Sequence, residues 1–305
     1  MFKPTLFMLI GLPGSGKSYH AKQLAEIYDA KVFSSDEIRK ELFNDINNQK
    51  NNDIVFKTLH KRIAEYLNKG NNAIYDATNI SYKKRIEYLK SLSKITCEKV
   101  AIFMATPYEI CLENNKKRNR QVPDNVIKRM YKNFTPPYWY EGWDDILIKY
   151  YEGSKNFYGL PEDFLQFYKD FDQKNSHHNR SLGDHMLNCY ELLDDFGSPI
   201  LRLAGMLHDC GKPFCKTFIN TKGEITEEAH YYQHEHVGAY NSFFFDVHSD
   251  NVERHLRIAA LINWHMRPYT AWKSSQKCEE KEKKLLGKDF FDDVQYLHWA
   301  DKNAH

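Results

Sequence analysis

The sequence predicts an α/β domain, a parallel sheet flanked by helices, followed by an all-α domain. Three observations lead there. The apolar run Leu6–Ile10 enters a glycine-rich loop that passes straight into a helical pattern. Strand-like apolar runs then alternate with helical segments up to Tyr150, the pattern of a parallel sheet. Past residue 176 the strand signals stop, and helical stretches carrying histidines take over. A chain of 305 residues is large for one core. The expected organisation is a first domain over 1–152, a Gly-, Tyr- and Asp-rich linker over 153–175 with a short helix from Pro161 to Tyr168, and a second domain over 176–305.

Composition narrows the function classes. The chain is 42% apolar and 28% charged, with a net charge of +2, so no global field draws in a polyanion. A nucleic-acid substrate would need a local basic patch. The 20 tyrosines and 19 phenylalanines suit base stacking and core packing equally. Six cysteines without a C-x-x-C pair read as reduced, mostly buried thiols of an intracellular protein. The N-terminal apolar run is short and lacks a small-residue cleavage site, and no stretch approaches transmembrane length. The expectation is a cytoplasmic protein with no membrane partner, in the host cytoplasm if phage-encoded. Oligomeric state is not readable.

After the first strand comes Gly11-Leu12-Pro13-Gly14-Ser15-Gly16-Lys17-Ser18. The spacing G-x-x-x-x-G-K-S between a strand and a helix is that of a phosphate-cradling P-loop. Its glycines turn backbone N–H groups onto phosphates, and the helix N-terminus adds partial positive charge. Lys17 would reach the β- and γ-phosphates, and the Ser18 hydroxyl would hold Mg²⁺. The expected cofactor is ATP, or another nucleoside triphosphate, with Mg²⁺.

Ala21, Leu24 and Ala25 keep helical spacing, and Lys31–Phe33 reads as a second strand. Ser34, with Glu37 three residues on, forms a capping box that starts a helix. Asp36 and Arg39 share one face of it. Asp36 there is either an orienting, weak base for a hydroxyl acceptor with Arg39 steering a phosphate, or one half of a solvated ion pair. A polar loop over 47–52 precedes a helix marked by Val55, Leu59, Ile63 and Leu67. In Asn72–Asn79, strand then loop, Asp76 sits at the strand end, where ligand-facing groups of an open α/β sheet lie. It is either a Walker-B-like carboxylate near Mg²⁺ or a buried hydrogen-bonding residue. Lys83-Lys84-Arg85 reads as a solvated helix face, and Val100–Met104 as another central strand. The densest basic cluster is Leu112–Pro123, where Arg118 and Arg120 could clamp developing phosphate charge as a lid. Pro123 then opens a helix with Val126, Ile127, Met130 and Tyr131 on its apolar face, and Trp143–Tyr150 closes the domain as a last strand.

Taken together, the P-loop, Asp36-x-x-Arg39, Asp76-Ala77-Thr78-Asn79 and Arg118–Pro123 resemble the P-loop polynucleotide kinases of end-repair enzymes, over roughly residues 4–150. The resemblance implies that Lys17 and Ser18 bind the donor, Asp36 activates a 5′-hydroxyl, Arg39 contacts the acceptor phosphate, and Arg118 or Arg120 serves as the lid arginine. Small-molecule kinases share the same motifs.

In the second half, His185 lies in a helical stretch, His208-Asp209 ends the apolar helix beginning at Ile200, and His234, His265 and Asp301 follow in order. Imidazoles and carboxylates from several helices can surround one or two divalent ions. The order His … His-Asp-x-Gly-Lys … His … His … Asp looks like the HD phosphohydrolase superfamily over about 176–305. That resemblance implies His185, His208, Asp209 and Asp301 on one metal. Asp209 would bridge to a second metal held by His234 and His265, and Lys212 would sit on the scissile phosphate. His236 is an alternative to His234, and His178 and Arg267 are further substrate-contact candidates. The ions implied are Mn, Fe, Ni, Co or Mg. Lys273–Lys288 reads as a solvated loop. The two resemblances together imply an end-healing enzyme, a 5′-hydroxyl kinase joined to a 2′,3′-cyclic or terminal phosphate phosphohydrolase. Its substrates would be nucleic-acid ends, RNA favoured, and its partner a separate RNA ligase. The alternatives are a nucleoside or small-molecule kinase joined to a nucleotide phosphohydrolase, and a hydrolase gated by a nucleotide-sensing P-loop.

Overall fold

The computed structural model describes residues 3–48, 50–175, 180–247 and 249–304. It divides into two compact units, one formed by the chain up to Ile127 with Pro137–Tyr151, the other by Lys128–Pro136 with the chain from Glu152 onward.

The first unit runs β1 (Thr5–Ile10), α1 (Lys17–Ile27), β2 (Ala30–Ser34), α2 (Ser35–Phe43), α3 (Asn52–Asn68), β3 (Asn72–Asp76), α4 (Tyr82–Ser91), β4 (Glu98–Ala105) and α5 (Tyr108–Lys116). The first residues of helix α6 (Asp124–Lys132), which continues into the second unit from Lys128, and strand β5 (Asp145–Tyr150) complete the order. The five strands lie in the order β2-β3-β1-β4-β5 and every neighbouring pair is parallel. Strand β1 is covered on both faces, so Leu6–Ile10 is apolar at every position rather than alternating. Helix α1 lays Ala21, with Leu24 and Ala25, on Phe7, Leu9, Ile74, Val100, Ile102 and Met104. Sheet order turns at β1, with β3 on one side and β4 on the other. The loop leaving β1 therefore opens into the crevice beyond the carboxyl ends of the strands. Val55, Leu59, Ile63 and Leu67, four apart, are the buried stripe of α3.

Two local readings change in this unit. Ser34 caps α2 by accepting from the Asp36 N–H at 3.2 Å, one residue short of the Glu37 N–H that a capping box uses. Arg85 is not part of a solvated face. Lys83 and Lys84 are exposed, but the Arg85 side chain points the other way and is fully buried against Glu141.

The second unit contains α7 (Pro161–Phe167), α8 (Leu182–Leu192), α9 (Pro199–Leu207), the single turn α10 (Lys212–Cys215), β6 (Thr217–Ile219), β7 (Ile225–His230), α11 (His234–Asn241), α12 (Val252–Trp264), α13 (Gln276–Leu286) and α14 (Lys288–Asn303). It is not all-α, because β6 and β7 form an antiparallel hairpin. Gly223, at φ 84°, supplies the turn, and the Asn220 carboxamide oxygen accepts from the Lys222 and Glu224 N–H groups. Residues 153–175 are not a free linker. Ser154, Phe164, Leu165 and Gln173 are buried, and the Tyr158 and Phe164 rings meet Phe245 at 5.2 and 4.8 Å. Aromatic side chains this dense cover apolar surface better than they space domains. Lys273–Lys288 is largely helix α13 rather than a loop, capped by Ser275 and stopped at Gly287. The buried Glu282 accepts from Trp272 Nε1 at 2.7 Å and from Arg267 Nε at 2.9 Å.

All six cysteines are free thiols, five of them buried. Among the described residues, no helix is long and apolar enough to cross a membrane.

Candidate active sites

In the second unit, five helix ends and faces deliver ligand-type side chains to one buried spot. Ser181 caps α8 and fixes the turn that presents His185. His208 and Asp209 leave the end of α9, His234 opens α11, His265 follows α12, and Asp301 comes from the last turns of α14. All six are buried. They fall into two clusters, His185–His208–Asp301 and Asp209–His234–His265, each with ligand atoms within 4.8 Å of one another. Asp209 joins the clusters. Its Oδ1 lies 3.1 Å from His234 Nε2 and 3.8 Å from His265 Nε2, while its Oδ2 lies 3.5 Å from His185 Nε2 and 3.3 Å from His208 Nε2. Asp301 Oδ1 lies 3.1 Å from His185 Nε2 and 3.4 Å from His208 Nε2.

The donor chemistry fits a cation. His208, His234 and His265 each hydrogen-bond through Nδ1 to a backbone carbonyl three residues earlier, at 2.7, 2.8 and 2.6 Å. Those bonds place a proton on Nδ1, so that each ring in its neutral form turns an Nε2 lone pair to the site. His234 Nε2 and His265 Nε2 then face each other at 3.2 Å beside a carboxylate oxygen. Two imidazole nitrogens and a carboxylate oxygen converging in this way could hold a divalent ion. Burial, with His234 and His208 adding to it, pushes His265 down to about 4, so it stays neutral. Burial alone would raise Asp209, but Lys212 and His208 hold it well below the usual carboxylate range. The Lys212 ammonium lies 2.7 Å from Asp209 Oδ2 and 2.9 Å from the buried Gln173 Oε1. Tyr231 also donates to the Gln173 carbonyl. His236 is outside both clusters, bonded to Asn263 at 2.8 Å, and Arg267 is tied to Glu282. His178 lies outside the described residues.

The other site lies in the first unit. Gly14 and Gly16 have φ of 84° and 87°, the left-handed turns that aim a P-loop's N–H groups inward. A Cβ on Gly14 would stand 2.2 Å from the Cys111 carbonyl oxygen, so α5 admits only glycine there. Asn114 donates to the Gly14 carbonyl at 3.1 Å and Thr106 to the Ser15 carbonyl at 3.2 Å, which fixes the loop from behind. Lys17 is buried in the loop and donates to the Gly11 and Leu12 carbonyls at 3.0 and 2.8 Å. Burial brings it down to about 8, with Asp76 pulling the other way. Ser18 Oγ donates to Asp76 Oδ2 at 2.9 Å, a hard-oxygen pair suited to Mg²⁺. Asp76 is thus beside the loop and not merely a core residue.

Asp36 is held from two sides, by Arg39 Nη1 on one carboxylate oxygen at 2.7 Å and by Arg120 Nη1 on the other at 2.6 Å. Arg39 is buried and also reaches Asn52 at 2.9 Å, and Arg120 reaches Asn47 at 2.9 Å. The basic segment is therefore folded back onto the Asp36 helix rather than being a fully solvated charge run. Arg118 stands exposed, with its charge felt at Lys17.

Residues 6–137 match the AAA domain family. A curated relative, the L-seryl-tRNA(Sec) kinase of Methanococcus maripaludis, is 27% identical over 150 residues. The alignment covers 46% of this chain and spans 56% of the relative's length. Among solved structures, a chain of the Pnkp1/Rnl/Hen1 RNA repair complex aligns at 21% identity over 44% of this chain and 44% of that one, with a TM-score of 0.37. A gluconokinase from Sinorhizobium meliloti 1021 aligns at 15% identity over 49% of this chain and 84% of that one, with a TM-score of 0.36. The first unit thus has an α/β P-loop fold, a parallel sheet flanked by helices, and most of it lies in the stretch similar to the AAA domain family.

Two sets of residues around these sites escape sequence reasoning. In the first unit, Arg85 and Glu141 stand 56 positions apart and only the fold pairs them. Outside it, Gln173 is one glutamine in an aromatic-rich stretch, with no periodicity to mark it as the partner of Lys212.

Proposed function

We propose that this chain joins a P-loop phosphotransferase to a metal-dependent phosphohydrolase, and that both act on nucleic-acid ends, RNA in particular. The observation that carries the reading is the Asp209 carboxylate, whose two oxygens are divided between two three-residue clusters of histidine and carboxylate. His185, His208, Asp301 and Asp209 would hold one ion, and Asp209, His234 and His265 a second, drawn from Mn, Fe, Ni, Co or Mg. Such ions, when bound, polarise a phosphoryl group and supply hydroxide at neutral pH. Lys212, aimed by Asp209 and Gln173, would sit on the phosphate being removed. In the first unit, Lys17 and the P-loop would hold the triphosphate of ATP, with Ser18 and Asp76 for its Mg²⁺. Asp36 would orient the acceptor hydroxyl, Arg39 would bind the neighbouring acceptor phosphate, and Arg118, which is not tied to Asp36, would be the lid arginine. Similarity to a kinase named for a tRNA-borne acceptor supports an RNA substrate. An RNA ligase would be the enzyme acting next.

The net charge of +2 favours a second reading, a kinase and hydrolase of free nucleotides. Salt dependence separates the two. Under the end-healing reading, the logarithm of oligoribonucleotide affinity falls steeply with the logarithm of salt. Replacing Lys116 and Lys117 by alanine reduces that slope by about 1.4, two phosphate contacts on a single strand. Binding that ignores both salt and the two lysines would favour the nucleotide reading. Fluorescence anisotropy with a labelled oligoribonucleotide makes the measurement.

A further inference from the structure

Arg85 is the largest fully buried side chain of the described residues, and neither site above makes use of it. Its guanidinium is fully engaged in one direction. Nε and Nη2 donate to the two Glu141 oxygens at 2.7 and 2.6 Å, and Glu141 in turn accepts from the Tyr138 N–H at 3.0 Å and from Trp143 Nε1 at 3.1 Å. A buried ion pair of this kind is weak evidence of a stabilising role, because well-packed apolar residues of similar volume often serve as well or better. The third arm of the fork shows what such residues could not do. Arg85 Nη1 donates to the Asn79 carbonyl at 2.8 Å.

Asn79 closes the Asp76-Ala77-Thr78-Asn79 turn in a left-handed conformation, φ 49°, which its side chain supports by donating to the Leu9 carbonyl at 2.8 Å. The Thr78 carbonyl accepts from the N–H of Gly11, the first P-loop residue, at 3.1 Å. The turn is thus fastened to the end of β1 and to the phosphate loop, and it begins with Asp76, which meets Ser18. We infer that Arg85 is a positioning residue of the phosphate-transfer site: braced on Glu141, it holds the turn that sets Asp76 against Ser18. The inference rests on the reading of Ser18 and Asp76 as the Mg²⁺ end of a triphosphate site.

The test compares wild type with the charge-neutral double variant Arg85→Met/Glu141→Met, which leaves no buried charge unpaired. Arg85→Lys, which keeps the charge but loses the fork to Asn79, provides the comparison should the double variant not fold. A fluorescent ATP analogue is titrated with and without Mg²⁺, and amide exchange is followed over residues 76–80. The expected result is an unchanged Mg²⁺-free affinity, a Mg²⁺ requirement raised about 10–100-fold, as for outer-shell partners of metal sites, and faster exchange confined to the turn. Wild-type Mg²⁺ dependence with wild-type exchange in a folded variant overturns the role of Arg85. So does an equal loss of affinity with and without Mg²⁺. Wild-type protein that binds the nucleotide with no response to Mg²⁺ overturns the Ser18–Asp76 reading itself, whatever the exchange shows.

Discussion

Replacing Asp209 by alanine is expected to remove the phosphohydrolase activity and both bound ions together, leaving phosphoryl transfer by the P-loop intact. The magnitude follows from the geometry. One carboxylate supplies an oxygen to His234 and His265 and the other oxygen to His185 and His208, so its loss takes a ligand from each cluster. It also strips the partner from the buried Lys212. A rate loss of at least about 10³-fold, roughly 4 kcal/mol of barrier, is expected. The fold loses a further ~3–5 kcal/mol from the uncompensated buried ammonium. Asp209→Asn isolates the loss of the ions from the loss of side-chain volume and of the Lys212 acceptor, because it keeps both while removing the charge that holds the ions. Metal analysis after dialysis, phosphate release and thermal unfolding of both variants make the check. Two ions retained in Asp209→Asn would contradict the bridging role.

Lys17→Ala is expected to do the converse. The ammonium donates to two loop carbonyls from a buried position, and burial lowers its pKa to about 8. It is the P-loop cation placed to meet a triphosphate, and its loss should cost about 10²–10³-fold in transfer rate, the scale of removing one preorganised charge-stabilising donor. Stability should hold, because desolvating a cation is a cost to the folded state. Phosphohydrolase activity should be unchanged. If Lys17→Ala silences both activities in a folded protein, while Asp36→Ala spares them, the P-loop is a nucleotide sensor gating the hydrolase. End-point assays of 5′-phosphorylation and phosphate release on one preparation distinguish the outcomes.

The sequence made the local parts legible and hid what depends on long-range contact. The P-loop could be read because its chemistry needs glycines and a lysine at fixed spacing next to a strand. The stripe Val55, Leu59, Ile63, Leu67 could be read because helical burial repeats every turn. The histidines stand out in the sequence by their order and by the His208-Asp209 doublet at a helix end, and the structure brings them, with Asp209 and Asp301, into two clusters. Arg85 could not be read: beside Lys83 and Lys84 it looks like solvated charge, and only Glu141, 56 residues on, gives it a buried partner. Residues 153–175 read as a spacer for the opposite reason. Glycine and aspartate suggested a spacer, while Phe164, Leu165 and Gln173 are buried parts of the second unit. The charged run Lys273–Lys288 reads as a loop because the helix within it, Gln276–Leu286, carries few apolar residues. It is held by a serine cap, a glycine stop and a single buried acceptor, Glu282.

The central claim is that one chain adds phosphate at one nucleic-acid end and removes it at another. The most direct measurement uses one oligoribonucleotide bearing a 5′-hydroxyl and a 2′,3′-cyclic phosphate, incubated with the protein, ATP, Mg²⁺ and Mn²⁺, with each end read by mass spectrometry. The predicted product has gained a 5′-phosphate and has had its cyclic phosphate opened or removed. An oligoribonucleotide unchanged at both ends, under conditions where the same protein turns over a free nucleotide, would contradict it.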